Sequence, residues 1–398
     1  MKYIIFIIDG AADYKVDELG GKTPLMVAKK PNIDSLAKKG KSGLLETVPK
    51  DMLPDSAVAN ISILGYDLGK CYQGRGVLEA ANIGIELDEK DVALRCNLIT
   101  VENNKIKDYS ADHISNKEAE QLIRAIEQNL GSNEIKFYPG VSYRHLLVLK
   151  KGFSSDIECY PPHDVVNSAV AKVMVKAKNK NGEITANLLN KLILDSKAIL
   201  EKHPVNVERK KQGKNIANMI WPWSPGKKPD MKTFQELYNI KGAVISAVDL
   251  INGLGICAGF DVIKVEGATG LWDTNYEGKA DACIKALENH ELVYVHLEAP
   301  DEAGHSGDAK LKVKVIEDFD KRLLGRVLDN IKDDVCIAVL PDHLTPVKVK
   351  THVYGEVPFL IYKPNEKVDD VKEFDEESCK KGSYGLMKGK EFIDTFLD

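Results

Sequence analysis

No apolar run in this 398-residue chain approaches the length of a membrane span, so a membrane partner is not expected. The opening run, Tyr3 to Ile8, is six residues long and ends directly in Asp9 and Gly10. It is too short for the apolar stretch of a signal segment and lacks a cleavage pattern. CxxC spacing is also missing. The seven cysteines (Cys71, Cys96, Cys159, Cys257, Cys283, Cys336 and Cys379) are odd in number and scattered, which argues against a disulfide framework or zinc module. They read as buried thiols in a reducing compartment, and a cytoplasmic location is expected. A basic excess is lacking too: 60 acidic against 55 basic residues leave a net charge of -5, so nucleic acid is not an expected partner. A small anion remains compatible, because a local cluster of Arg, Lys and metal can outweigh a weakly acidic total. There is no GxxxxGK[ST] loop for a nucleotide-dependent kinase, no internal repeat and no low-complexity segment. None of these features bears on oligomeric state.

What is present is a hydrophobic share of 43%, enough for one large core or two ordinary ones. Short β-branched runs too apolar to alternate predict strands buried on both faces: Tyr3 to Ile8, Ala243 to Ala247, Val262 to Val265, Leu292 to Leu297, Cys336 to Leu340 and Pro358 to Tyr362. Helical spacing recurs between them, at Gly278 to Asn289 and from Ala309 to Ile331 through Ile316, Phe319, Leu323 and Val327. The expected fold is therefore α/β, a doubly wound, mostly parallel sheet whose ligands bind outside the carboxyl ends of the strands. The middle of the chain differs. A strand pair, Val92 to Val101 and Ile106 to Tyr109, turns at Asn103-Asn104. A helix follows, with a capping box at Ser115 and Glu118, and then a strand from Tyr143 to Leu149. The Lys-rich stretch Val173 to Lys180 reads as a solvated face or loop. These elements predict a smaller α+β unit, residues 79–184, inserted into a core of residues 1–78 and 185–398.

Chemistry gathers at the strand ends. Asp9 stands where the first strand stops; a helix cap or turn residue is the plain alternative for it alone. The fourth strand runs into Glu298-Ala299-Pro300-Asp301-Glu302-Ala303-Gly304-His305, where Asp301 and His305 are four apart. One helical turn would set them on one face with Cβ atoms about 5–6 Å apart, close enough to share an ion. The fifth strand ends in Pro341-Asp342-His343, with His352 nine residues on. Adjacent strand residues face opposite sides, so Asp342 and His343 converge only if the chain leaves strand geometry after Pro341. Three Asp and three His suit Mn, Mg or Zn, and six ligands divide naturally into two ions. Ser56, in Pro54-Asp55-Ser56-Ala57, is the candidate nucleophile, placed at a helix start where free N–H groups favour phosphate. Its alternative, for Ser56 or Asp55, is a plain N-cap.

Taken together, Asp9, Ser56, the Asp301/His305 pair, Asp342-His343 and His352 follow the order and local motifs of the alkaline phosphatase superfamily. Within it the chain resembles the archaeal-type, cofactor-independent phosphoglycerate mutases. Lys30-Pro31-Asn32-Ile33-Asp34-Ser35-Leu36-Ala37, Gly74 to Ala81 and Gly267 to Ala280 extend the likeness through nearly the whole chain. The resemblance implies an alkaline phosphatase type of sheet and two divalent ions, Mn2+ first, with Mg2+, Zn2+ or Co2+ as alternatives. One ion would be held by Asp301, His305 and His352, the other by Asp9, Asp342, His343 and the Ser56 hydroxyl. It further implies a glycolytic isomerase that interconverts 3-phosphoglycerate and 2-phosphoglycerate through phosphoserine at Ser56.

On that reading the inserted unit is a lid. His113, Arg144, His163 and Asp164 are its candidates, with His163 or Asp164 in Tyr160-Pro161-Pro162-His163-Asp164 as proton shuttle. A surface turn explains that loop too. Arg144 would fork onto the substrate carboxylate, while Arg75, between two glycines in an expected loop, and Lys279, beside Gly278, would bind phosphate. Trp221 to Lys228 resembles a branch motif that often carries Gly and Arg at the positions of Ser224 and Lys228, which puts a phosphate contact from there in doubt. A phosphomonoesterase, or a mutase of another phosphorylated metabolite, would share the same core. A non-catalytic metabolite-binding protein would not be expected to keep all seven positions filled.

Overall fold

A computed structural model describes residues 1–331 and 334–398. The chain divides into two compact units, a first formed by Met1–Tyr72 with Asp230–Asp398 and a second formed by Gln73–Pro229. The first unit is built on an eight-stranded sheet. Its order is Asp261–Val262, Gly242–Ile245, Leu292–Leu297, Lys2–Ile8, Val335–Leu340, Val357–Tyr362, Lys41–Glu46 and Gly385–Lys388. The first five are mutually parallel, as is the last pair, and only Val357–Tyr362 runs against its neighbours. The mostly parallel α/β sheet read from the sequence is thus the one observed. Lys2–Ile8 lies at its centre, in register with Leu292–Leu297 on one side and Val335–Leu340 on the other.

Both faces of this central strand are covered, which is why it shows no alternation. Ile4, Phe6 and Ile8 pack into a core with residues of helices Pro31–Lys39, Tyr276–Ala286, Ala299–Ser306 and Ala309–Asp318. Ile5 and Ile7 are equally buried, and Tyr3 meets Phe396 of helix Gly389–Leu397 edge-on at 5.5 Å. A fully buried side chain of this size contributes about 1.5–3 kcal/mol, so the central strand alone anchors a large share of the unit. The helix expected from Ala309 to Ile331 is not uniform: a widened π turn, Phe319–Leu324, separates Ala309–Asp318 from Gly325–Asn330. At that turn Asp320 accepts from Ile33 N at 2.8 Å and Asn32 N at 3.3 Å. It thereby supplies the cap that Lys30 cannot give to helix Pro31–Lys39.

The second unit is an antiparallel sheet with helices. Val92–Glu102 pairs with Lys105–Asp108, Arg144–Leu149 and Met219–Gly226, and Arg144–Leu149 pairs in turn with Ile135–Tyr138. The Asn103-Asn104 turn takes left-handed conformations at both residues, φ 50° and 57°, which closes the expected hairpin. Ser115 and Glu118 form the expected capping box at the head of helix Asn116–Leu130. In the Lys-rich stretch the lysines are exposed, while Val173 and Val175 anchor it to the core. The unit's limits differ from the expected 79–184. Helix Glu183–Leu200 packs on strand Met219–Gly226, where Ser196 Oγ accepts from Ile220 N at 3.1 Å, and that strand completes the sheet beside Val92–Glu102. Two prolines in Trp221-Pro222-Trp223-Ser224-Pro225 concealed this strand. Among the described residues no helix is long and apolar enough to cross a membrane.

One buried carboxylate of the first unit predicts a pH effect. Glu376 turns inward to accept from Asp13 N at 3.1 Å and Thr23 Oγ1 at 2.6 Å, and burial pushes its pKa up to about 7. A folded pKa above the unfolded value means that stability is fullest at acid pH and falls as the pH rises towards 7. Glu376→Gln should therefore gain about 1–3 kcal/mol relative to the parent at pH 8 compared with pH 5. Thermal unfolding at both pH values checks this; an equal parent–variant difference at the two would show that Glu376 ionises freely.

Candidate active site

Three adjacent parallel strands end at one place in the first unit. Lys2–Ile8 delivers Asp9, Leu292–Leu297 leads into helix Ala299–Ser306 with Asp301 and His305, and Val335–Leu340 delivers Asp342 and His343. The chain does leave strand geometry after Leu340, so neighbours Asp342 and His343 both turn inward, and both are buried. Asp301 and His305 lie one helical turn apart, with Asp301 Oδ2 and His305 Nε2 separated by 3.2 Å. The closeness of the strand ends explains Gly10, whose φ is +62°: a Cβ there would stand 2.6 Å from Asp301 Oδ1 and 2.7 Å from Thr345 Oγ1.

The ligand atoms form two overlapping groups, Asp9/Asp342/His343 and Asp301/His343/His352, each within 4.8 Å of one another. His305 Nε2 is 3.0 Å from His352 Nε2, and the His343 and His352 rings are 3.9 Å apart between centroids. His343 therefore stands between the groups rather than wholly in one, whereas the resemblance assigned it to the Asp9 side alone. Burial first, then the charges of Asp342 and Asp301, push the Asp9 pKa well above the usual carboxylate range. Burial acts in the same direction on Asp301, yet hydrogen bonds from His305 and His352 outweigh it and hold that group well below. Those bonds in turn raise His305 to about 9. Asp9 Oδ1 is buried without a hydrogen-bond partner. An orphaned carboxylate oxygen among imidazole nitrogens and two further carboxylates fits a hard-to-borderline divalent cation, which supplies the positive charge the cluster lacks.

Ser56 is the first residue of helix Ser56–Ile63, and the two N-cap alternatives resolve in favour of its neighbour. Asp55 caps the helix by accepting from Ala57 N at 2.8 Å, which leaves Ser56 Oγ to face His343 Nε2 at 3.1 Å. Asn60, one turn along, donates to Ser56 O and to Asp342 Oδ2, both at 2.8 Å, and accepts from Tyr294 Oη. Asn60, Thr345 and His296 were not singled out from sequence. Thr345 Oγ1 donates to Asp301 and lies 3.2 Å from His343 Nδ1. His296 Nε2 stands 3.1 Å from Asp9 Oδ2 without making a hydrogen bond. Its signal was available as a lone imidazole inside a wholly apolar strand. Lys279 is buried, with Nζ donating to His296 O at 2.8 Å, and burial lowers its pKa to about 8. It thus sits behind His296 rather than on an open surface.

The remaining candidates lie in the second unit. His163 and Asp164 pair at 3.5 Å, and the His163 ring packs edge-on against Tyr109 and Trp223. His113 does the same against Tyr143, at the end of three left-handed residues, Ala111, Asp112 and His113. Asp108, Asn215 and Arg209 hold that turn by hydrogen bonds. Arg75 opens helix Arg75–Asn82 rather than lying in a loop. Gly74 has no side chain to cap it, so Ser224 Oγ accepts from Arg75 N at 3.0 Å, which gives the departing residue of the Trp221 to Lys228 motif a structural use. Arg95, unremarked in sequence because it sits inside an apolar strand, is buried beside Glu79 at 2.9 Å and lies over the Trp223 ring at 4.7 Å. Burial first, then repulsion from Arg75 and Arg144 against the pull of Glu79, lowers its pKa. Arg75 and Arg144 thus both lie near enough to act on the Arg95 guanidinium, and guanidiniums suit carboxylate or phosphate.

Known proteins resemble this chain in sequence and in fold. Residues 37–206 match the family model described as 2,3-bisphosphoglycerate-independent phosphoglycerate mutase. A protein of that name from Methanosarcina acetivorans is 51% identical over 401 residues, covering 100% of each chain. Among solved structures, a Pyrococcus horikoshii protein superposes with a TM-score of 0.85 at 31% identity, covering 100% of this chain and 96% of its own. A cofactor-independent phosphoglycerate mutase of Thermoplasma acidophilum gives 0.70 at 29% identity, covering 100% and 99%.

Removing a ligand tests the grouping. Asp342→Asn and His352→Ala should each lower bound Mn2+ from about two ions per chain towards one, together with activity. Elemental analysis after chelation and reloading measures this, and a metal content equal to the parent's in both variants would break the two-group assignment.

Proposed function

Because the chain belongs to the 2,3-bisphosphoglycerate-independent phosphoglycerate mutases, an isomerase family, we propose that it interconverts 3-phosphoglycerate and 2-phosphoglycerate through a phosphoserine at Ser56. The observation that carries this reading is the hydroxyl of Ser56, released from capping by Asp55 and set 3.1 Å from His343, the residue shared by two groups of side chains that could hold a metal. Asp9, Asp342 and His343 would hold one divalent ion and Asp301, His305 and His352 the other, with His343 adjoining both. When bound, such ions favour the ionised serine and offset charge on the transferring phosphoryl oxygens.

The chain's own groups then act in order. Ser56 Oγ forms a bond to phosphorus as the bond between phosphorus and the substrate's 3-oxygen breaks, and that oxygen takes up a proton. Glycerate stays bound and turns. Its 2-hydroxyl gives up a proton and attacks the phosphoserine, which frees Ser56. Asn60 holds Asp342 and the Ser56 carbonyl, so the nucleophile keeps its aim throughout. We assign anion recognition to Arg75, Arg95 and Arg144. The partly exposed His163-Asp164 pair is the proton carrier, since burial holds His163 below its ordinary pKa and thus neutral near pH 7. To His113, on its left-handed turn, we assign orientation of the acid. A cytoplasmic, glycolytic role follows from the reaction.

The test is a coupled assay on Mn2+-loaded protein with 3-phosphoglycerate and no bisphosphoglycerate, following 2-phosphoglycerate and free phosphate together. The expected result is chelator-sensitive 2-phosphoglycerate with little phosphate. Phosphate alone would make the protein a phosphatase instead. Ser56→Ala should abolish transfer while metal content stays near about two ions per chain, and an active Ser56→Ala protein would remove the phosphoserine from the scheme.

A further inference from the structure

One ionisable side chain is sealed inside the first unit and has no part in the reaction above. Lys312, on helix Ala309–Asp318, has no exposed surface. Its Nζ donates to Asp13 Oδ2 at 2.8 Å, to Thr345 O at 2.9 Å and to Ala12 O at 3.3 Å. Three acceptors use all three ammonium donors. An apolar residue would fill the same space with less desolvation, since burial alone drives the ammonium towards neutrality and Asp13 has to oppose it.

The acceptors explain why a lysine is kept. Ala12 and Asp13 continue the segment that begins with Asp9 and Gly10, and Thr345 continues the segment that begins with Asp342 and His343. The two segments also meet directly, with Thr345 N donating to Ala12 O at 3.3 Å and Val347 N to Asp13 Oδ2 at 3.1 Å. Thr345 in turn binds Asp301 through its hydroxyl. The third partner is the helix that bears Lys312 itself, which follows the Asp301–His305 helix after the left-handed Gly307. A single ammonium thus ties the segments that carry Asp9 and Asp342-His343 to each other and to the helix next after the one that bears Asp301 and His305.

We propose that Lys312, paired with Asp13, is a positioning residue for the metal centre: it sets the separation of segments 9–13 and 342–347 so that their carboxylates and imidazole converge on the ions. It touches neither ion nor substrate. The inference rests on the metal reading given above, and the alternative it must defeat is a plain contribution to core stability.

The experiment compares Lys312→Met with Phe396→Ala, which opens the core at the opposite ends of the strands. Mn2+ affinity is measured by chelator competition, and the visible spectrum of the Co2+-loaded protein reports ligand geometry. Positioning predicts that Lys312→Met loses about 10- to 100-fold in metal affinity and shows an altered Co2+ spectrum, while Phe396→Ala lowers the melting temperature but keeps both metal readouts. Parent-like affinity and spectrum in a folded Lys312→Met protein would overturn the proposal alone. No Mn2+ binding by the parent would overturn the metal reading and this inference with it. Should Lys312→Met not fold, the isosteric Asp13→Asn weakens the same tie and is judged by the same two readouts: a loss supports the role and parent-like values refute it.

Discussion

Three carboxylates taken out of water at one spot constrain the first unit more than any other interaction. Asp9, Asp301 and Asp342 are each nearly or wholly buried, and they repel one another where screening by solvent is weakest. Imidazoles from His305, His343 and His352 offset part of that repulsion, as the opposite pKa shifts of Asp9 and Asp301 show. The remainder is left on Asp9, whose Oδ1 has no hydrogen-bond partner and stands 3.5 Å from His343 Nε2. This arrangement has two requirements, relief of the buried charge by a proton or a cation, and a scaffold stiff enough to keep the groups from relaxing apart. The central strand, fully buried on both faces and flanked by parallel neighbours, supplies the second requirement.

The scaffold was legible in the sequence where local and tertiary demands agree. Leu292–Leu297 is an apolar run interrupted only by His296, and its observed limits match the expected ones. The strand ends follow from this, and so Asp9, Asp342 and His343 could be placed from residue order alone. The direction of Val357–Tyr362 could not, because a fully buried strand reads the same in either orientation. Strand Met219–Gly226 was hidden by its prolines. It persists because only its pairing with Val92–Glu102 has to supply donors, and Ser224, in a left-handed conformation, bends away to serve helix Arg75–Asn82. Missing that strand moved the expected end of the second unit from Pro229 to 184.

The supporting residues were harder to read for a different reason. Asn60, Thr345, His296 and Lys312 act through partners far away in the chain, Asp342, Asp301, Asp9 and Asp13. A polar residue on an otherwise apolar helix face or strand signals that some partner exists but not which one. Ser56 was the intermediate case. Its position at a helix start was readable, but whether it or Asp55 served as the cap was not, and that detail decides whether its hydroxyl is available.

The choice between moving a phosphoryl group and hydrolysing its ester turns on what holds the acid once phosphate has left it. Glycerate keeps its carboxylate, and in the second unit the charges of Arg75 and Arg144 both act on the buried Arg95. Glu79 stands beside Arg95 at 2.9 Å and opposes that repulsion. Burying Arg95 against Trp223 would be costly without a partner, and Glu79 and the face of the ring meet that cost. A phosphatase gains from releasing the dephosphorylated product quickly. A carboxylate held by guanidiniums would work against that release, so the anion recognition proposed for Arg75, Arg95 and Arg144 is a role that suits a mutase better than a phosphatase.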